Sequence, residues 1–371
     1  FLNCTSIMYF EWYPYESFGL DLVTWVWMLL TVFVIPKLLN HFGDITSICW
    51  FWLMLVLLCC VQQWFFDTDS FGSFFGMLRV LSWGLFLFGP IACWIVYRWH
   101  NDSVSQRIFG GLGIVLTMIG VDAFWIEPNL IDITNYTVTS DKIADPIRIV
   151  LLADIQTDAI NTQTRDALQV AMNQHPDLIV FAGDYLQHSF WKDYQANIQP
   201  FNDVLIEYGL HKIPSIVVEG DAEYRWGNQW HALFENMDAT ILDPSDRTLW
   251  NDIEITGLTM VDSKNGVVPQ YSSSNRFTIL IGHNPNFALQ RPDADLYLAG
   301  HTHGGQVVIP FIGPLITFSD LPVDQVAGRT DFTNGSTLIV SRGIGLERYD
   351  APRLRFLCRP EVAVIDLLPQ P

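Results

Sequence analysis

Two hydrophobic patterns divide this chain. Up to about Ile126, apolar residues run almost unbroken, in four stretches near Phe18–Pro36, Ile45–Phe66, Phe74–Tyr97 and Ile108–Ile126. Each is long enough to cross about 30 Å of hydrocarbon as a helix. A buried core does not explain four such runs in succession with so little charge, and a cleaved signal peptide explains neither their number nor their length. Beyond Ile126 the runs shorten and are bounded by Gly, Asp and Pro. Ile147–Ala153, Asp177–Gly183, Ile216–Gly220, Phe277–Gly282 and Leu296–Ala299 read as buried strands. Glu254–Val261, Val307–Ile309, Ser336–Val340 and Glu361–Leu367 also read as mostly strand. Asn161–Gln174 reads as a helix, with Thr164, Asp166 and Gln169 toward water and Ala167, Leu168, Val170, Ala171 and Met172 toward the core; His175-Pro176 ends it. Trp230–Met237 reads as a second, shorter helix, and 127–146 as a linker leading into a first strand, Tyr136–Thr139. The expected organisation is a membrane domain over 1–126 and an α/β domain with outer helices over 127–371.

Charge sharpens this division. The net charge is −19, and from Glu127 onward 31 acidic residues face 16 basic ones. That balance disfavours nucleic acid as a partner, since a phosphate backbone needs a basic face. Of the six cysteines only Cys358 lies in the second half, and none has zinc-ligand spacing, so they read as small apolar residues. The chain begins at Phe1, which is read as a start inside a reading frame or after processing.

Basic residues set the expected orientation. Lys37 follows the first span, and Arg98 and Arg107 lie between the third and fourth. The positive-inside rule puts those loops in the cytoplasm, and four spans then place the C-terminal domain outside it. Arg79, early in the third span, opposes this bias and is expected to snorkel to the interface. Trp64, Trp94, Trp99 and Trp125 read either as an interfacial belt or as helix-packing residues. A transporter is disfavoured, because the spans show few charges and no paired repeat.

Candidate chemistry collects at strand ends. Asp154 and Gln156 follow the first buried strand, Asp184 the second, Asp221 the third and His283 the fourth. The fifth leads into Gly300-His301-Thr302-His303-Gly304-Gly305-Gln306. Ligands of open α/β sheets gather beyond the carboxyl ends of strands, and imidazole and carboxylate are metal donors. Gly-Asp is also ordinary turn chemistry, so any one of these positions could be loop polarity. His175 and His211 read as loop and surface residues, while His188 and His231 are further candidates for the cleft. Arg342, in a Gly-rich turn, either clamps a substrate phosphate or pairs with one of the many acids.

From Asp154 to His303 these motifs resemble the calcineurin-like metallophosphoesterase superfamily, whose pattern runs Asp-x-His, Gly-Asp, Gly-Asn-His-Asp/Glu, a lone His and Gly-His-x-His. The resemblance continues through Ser341-Arg342-Gly343-Ile344-Gly345, covers about the last two thirds of the chain, and looks like the membrane-anchored branch. It implies a four-layer α/β sandwich, two mixed β-sheets flanked by helices, after an N-terminal α-helical transmembrane region. It also implies two divalent metal ions, Mn²⁺, Mg²⁺, Fe or Zn²⁺. By correspondence Asp154, Gln156, Asp184 and His303 would hold one, and Asp184, Asp221, His283 and His301 the other. The reaction implied is phosphodiester, phosphomonoester or pyrophosphate hydrolysis by a hydroxide bridging the metals, with a phosphorylated substrate, lipid-linked ones included.

Three departures matter. Asp154-Ile155-Gln156 has an amide where the family has an imidazole, and Gly220-Asp221-Ala222-Glu223 has a carboxylate where the family has an amide. Both make the site richer in oxygen, which suits harder ions such as Mn²⁺ or Mg²⁺. The family's proton-donating histidine is Ala222 here. Asp184, Asp221 and Glu223 are therefore the expected catalytic carboxyls, Glu223 supplying the proton if burial raises its pKa. The alternative is a metal-binding membrane module that has lost its general acid and does not catalyse.

Overall fold

The computed structural model describes residues 25–26, 70–99, 101–188, 190–269, 275–348 and 351–370. The expected spans Phe18–Pro36 and Ile45–Phe66 lie outside the described residues, apart from the helical pair Trp25 and Val26, and so do Lys37 and Trp64. Two helices, Phe74–Trp99 and Ser103–Asn129, are long and apolar enough to cross a membrane. The first joins α1 (Ser70–Trp83) to α2 (Gly89–Trp99) through a π-turn at Gly84–Phe88. The second begins as α3 (Ser103–Val121), where the Asp102 carboxylate caps the amides of Val104 and Ser105 at 3.1 and 2.8 Å. Gly113 lets α3 approach α2 closely, since a Cβ there would lie 3.2 Å from Cys93. Arg79 does not snorkel: it is fully buried, with its guanidinium 5.5 Å from the centroid of the Trp83 ring.

A second compact unit comprises Ala123–Arg348 and Arg353–Pro371. Its strands are β1 (Asp132–Ser140), β2 (Ile147–Leu152), β3 (Leu178–Ala182), β4 (Ser215–Val218), β5 (Ala239–Ile241), β6 (Asp246–Trp250), β7 (Ile253–Gly257), β8 (Phe277–Ile281), β9 (Leu296–Ala299), the short β10 (Val308–Ile309) and β11 (Gly313–Pro314), β12 (Gly328–Asp331), β13 (Thr337–Val340) and β14 (Glu361–Pro369). They form two mixed six-stranded sheets, in the orders β1-β14-β2-β3-β4-β5 and β12-β13-β9-β8-β7-β6. Strands β2 to β5 are parallel to one another, as are β7, β8, β9 and β13. Residues of β3, β4, β8 and β9 are buried throughout, which is why they read as unbroken apolar runs rather than alternating ones.

Alternation along each strand sends neighbours to opposite layers. Leu151, Val180 and Ile216 meet Ile255, Ile279 and Leu298 between the sheets. Val150, Phe181 and Val217 face outward onto α4 (Thr162–Met172) and α5 (Trp191–Glu207). On the far side Leu280 and Tyr297 pack with Phe287 from a 3-10 turn. The result is the four-layer arrangement that the motifs imply, with two parallel strand sets ending at one edge.

Several expectations change. Thr164 is buried, because the Asn161 side chain that caps α4 binds its amide and hydroxyl at 2.9 and 3.1 Å. Helix α5 was not anticipated; Pro200 lies inside it, and Tyr194, Phe201, Val204 and Leu205 fill the core. A four-residue α6 (Asp221–Tyr224) follows β4. The expected strand Glu254–Val261 stops at Gly257, since Thr259 caps the amide of Asp262 and opens α7 (Met260–Asn265). Trp230–Met237 is not an α-helix but part of a 3-10 segment, Gly227–Phe234. The expected first strand Tyr136–Thr139 is present but longer, β1 running over Asp132–Ser140 and pairing with β14 along its whole length.

Candidate metal centre

Five loops converge at the carboxyl ends of β2, β3, β4, β8 and β9. They carry all seven expected donors: Asp154, Gln156, Asp184, Asp221, His283, His301 and His303. Asp154, Gln156, Asp184, His301 and His303 all have positive φ, between 37° and 72°. A non-glycine residue in that region carries strain, and such residues concentrate where function over-determines the backbone. Gly220 and Gly300 make room for them. A Cβ at Gly220 would collide with the Asp184 carboxylate, and one at Gly300 would stand 2.6 Å from Asp154 Oδ2.

Asp184 is the hub. Its Oδ1 accepts the Ala222 amide at 2.9 Å and lies 3.5 Å from His283 Nε2; its Oδ2 accepts Gln156 Nε2 at 2.7 Å. Burial opposes its ionisation, but the His283 imidazole, the Ala222 amide and His301 outweigh burial and hold the carboxyl below the usual range. Asp154 accepts the His301 amide at 3.0 Å and lies 3.5 Å from His303 Nε2. Burial, with Asp184 close by, pushes it up to about 7. Asp221 is half-exposed and lies 3.1 Å from His301 Nδ1.

The imidazoles are oriented by backbone carbonyls. His283 Nδ1 meets Ala182 O at 2.7 Å, and His301 Nε2 meets Phe318 O at 3.1 Å. A carbonyl only accepts, so both of those nitrogens carry the proton. The remaining nitrogens, His283 Nε2 and His301 Nδ1, face each other across 3.3 Å, with Asp184 and Asp221 alongside; against burial, Asp184, Asp154 and Asp221 raise the His283 pKa well above the usual value. Two imidazole nitrogens and two carboxylates gathered this closely could hold a cation in place of a proton. His303 adds to this: it is buried, neither of its ring nitrogens has a hydrogen-bond partner, and burial followed by the charge of Arg355 holds its pKa well below the usual value. The buried Oε1 of Gln156 is likewise unpartnered. Imidazole nitrogens, carboxylates and an amide oxygen converging in this way fit a divalent metal. Two sets lie tightly enough to share an ion, Asp221-His283-His301 and Asp154-Asp184-His283. The sequence correspondence instead places Asp184 in both sets.

Other expected residues are placed elsewhere. Arg342 does not present its guanidinium to the cluster: Nη2 lies 3.4 Å from Asp132 and 3.2 Å from Thr134, and Nε 3.6 Å from Glu361. It is a structural ion pair, the second of its two readings. Glu223 faces inward. Fully buried, it accepts the amides of Asp184 at 2.8 Å, Tyr185 at 2.9 Å and Gly220 at 3.1 Å. Burial and the Asp184 charge push it up to about 8, against the pull of those amides. It positions the Asp184 loop rather than reaching a leaving group. His231 pairs with Asp243 at 2.9 Å, and His188 packs edge-on against Tyr194.

Sequence reasoning missed the segment that closes the cluster. Gly345 N donates to Asp154 O at 2.6 Å, Glu347 N to Gln306 Oε1 at 2.7 Å, and Arg348 Nε to Gln156 O at 2.6 Å. Gln187 bridges the turn, accepting Arg348 N at 2.8 Å and donating to Glu347 Oε1 at 2.9 Å. Glu347 is thus bracketed by three donor loops. Burial, then Asp184 and Asp221, push its carboxyl up to about 7 against the Gln187 hydrogen bond. No local pattern marks it, because it lies seven residues beyond β13. Arg355, fully buried, ties the same turn to the carbonyls of Gly345 and Arg342 at 2.6 and 2.9 Å.

Comparison with known proteins agrees with this geometry. The family model described as calcineurin-like phosphoesterase matches residues 147–305. The metallophosphoesterase YkuE of Bacillus subtilis, itself uncharacterised, is 32% identical over 270 residues, covering 66% of this chain and 88% of that protein. The phosphodiesterase YaeI of Escherichia coli is 27% identical over 263 residues, covering 66% of this chain and 91% of that protein. A metallophosphoesterase of Aquifex aeolicus is 23% identical over 257 residues, covering 65% and 94%. Converging strand ends, open metal donors and these similarities lead to one conclusion: the chain belongs to the calcineurin-like phosphoesterase family and is a metal-dependent phosphoesterase.

Proposed function

We propose that the protein is a membrane-anchored hydrolase with two divalent ions, cleaving phosphodiester, phosphomonoester or pyrophosphate bonds whose leaving groups are stable as anions. The observation that carries this is the convergence of His283 Nε2 and His301 Nδ1, 3.3 Å apart, with the carboxylates of Asp184 and Asp221, beside a buried His303 ring whose nitrogens have no partner. Asp154, Gln156, Asp184 and His303 would hold one ion, and Asp184, Asp221, His283 and His301 the other. Bound there, the ions would supply an activated water and charge neutralisation for the phosphoryl oxygens.

The chain's own residues do the rest. Glu223 fixes the Asp184 loop through three amides, and the carbonyls of Ala182 and Phe318 fix two imidazoles. Ala222 offers no proton to a leaving group. Glu347, partly buried beside the cluster, is the carboxyl best placed to do so in its stead. The rival, a non-catalytic metal-binding module, rests on Ala222. A panel of aryl diesters, alkyl esters and pyrophosphates, run with and without a chelator, separates the two. Chelator-sensitive hydrolysis supports the enzyme, and no hydrolysis of any compound by the metal-loaded chain supports the module.

Two apolar helices, Phe74–Trp99 and Ser103–Asn129, are compatible with an anchor. Lys37, Arg98 and Arg107 favour a catalytic domain outside the cytoplasm. The acidic surplus disfavours nucleic acid and leaves a small or lipid-linked phosphorylated substrate as the expected partner.

A further inference from the structure

From Val307 to Phe318 the chain reads Val-Val-Ile-Pro-Phe-Ile-Gly-Pro-Leu-Ile-Thr-Phe, twelve residues without a charge in a protein of net charge −19. Strands β10 and β11 fold it into a hairpin. Its tip is turned to the outside: Phe311 has φ 69° and is fully exposed, Ile312 is 68% exposed and Leu315 57%. Single exposed apolar side chains are ordinary, but a contiguous cluster of them marks an interaction site.

Backbone bonds show where the hairpin stands. Val308 N donates to Phe356 O, and Phe356 N to Gln306 O, both at 2.9 Å. The residues around Phe356 also hold the end of the apolar helix Ser103–Asn129. Arg355 N donates to Ala123 O at 3.0 Å, and the Glu127 carboxylate accepts the amides of Leu357, at 2.7 Å, and Cys358. Trp125, Ile126, Leu130 and Leu357 are exposed at this same junction. The hairpin base is therefore one hydrogen-bond step from the helix end, and Phe311 lies three residues, about 10 Å of extended chain, beyond it.

We infer that the hairpin Val308–Phe318 is a second membrane contact, seating Phe311, Ile312 and Leu315 in the lipid interface next to the helix that enters the bilayer. The inference rests on the anchoring proposed above. Apolar side chains at that depth bind by burying area, with no need of charge, which suits an acidic domain. The hairpin also carries the Phe318 carbonyl that orients His301, so seating it would hold the cluster at headgroup level and favour phosphoesters borne by lipids.

The test uses the full chain in phosphatidylcholine vesicles, with a benzophenone analogue of phenylalanine at position 311, or at exposed Leu249 on β6 as control. After irradiation, peptide mass spectrometry reads the adducts. A lipid adduct at 311 exceeding that at 249 by about tenfold or more is expected. Equal adducts at the two positions, or adducts at 311 only to residues of the same chain, would overturn the inference. Flotation separates the two claims: a chain that does not float with vesicles refutes anchoring and hairpin together, whereas a floating chain without a lipid adduct at 311 removes the hairpin alone. Hydrolysis of a soluble aryl diester by the same samples reports the chemistry separately.

Discussion

Glu223 accepts the backbone N–H of Asp184 at 2.8 Å, so a residue of the β4 loop holds the residue on which the cluster turns. The same carboxylate takes the amides of Tyr185 and Gly220. Glu223→Ala would leave these buried donors unpaired and should cost about 2–4 kcal/mol in urea denaturation. Metal affinity should fall with it, because the Asp184 backbone loses its left-handed support. Unchanged stability and metal affinity would show that the loop is held by other contacts.

Glu347 should matter according to the leaving group. A general acid contributes about 10²–10⁴ in rate where the leaving group needs a proton. Glu347→Gln should therefore slow alkyl esters about 10²-fold and nitrophenyl esters only a few-fold. The sign of the pH effect follows, since only the protonated carboxyl donates. The alkyl-ester rate should fall as pH rises through the Glu347 pKa. Burial, then the charges of Asp184 and Asp221, put that pKa at about 7, and cations that offset those charges would lower it. In Glu347→Gln this alkaline limb should vanish. A limb that persists assigns the proton to another group.

Much of the site was legible because each donor ends an apolar strand, and strand, glycine and ligand are contiguous in sequence. Asp154, Asp184 and His283 could be found that way, and so could the sandwich, whose buried parallel strands leave unbroken apolar runs. Glu347 and Gln187 were not legible: what makes them part of the site is a set of bonds between loops far apart in sequence. Arg342 and Glu223 show the converse. Their positions suggested chemistry, but the direction of a side chain depends on tertiary partners, Asp132 and Glu361 for one and the Asp184 loop for the other. Helix α5 was missed because Pro200 and its many polar residues hide an apolar face.

Orientation in the membrane is tested without any activity. Protease added to intact spheroplasts should digest the α/β unit if Arg98 and Arg107 face the cytoplasm. Protection until lysis would reverse the orientation and leave the chemistry untouched.

The central claim is that one buried carboxylate, Asp184, serves both ions. Elemental analysis of the purified full-length chain, beside its Asp184→Asn variant, tests this most directly. About two divalent ions per chain are expected for the unaltered protein, with both ions and hydrolysis lost together in Asp184→Asn. Retention of two tightly held ions by Asp184→Asn, with hydrolysis intact, would contradict the account.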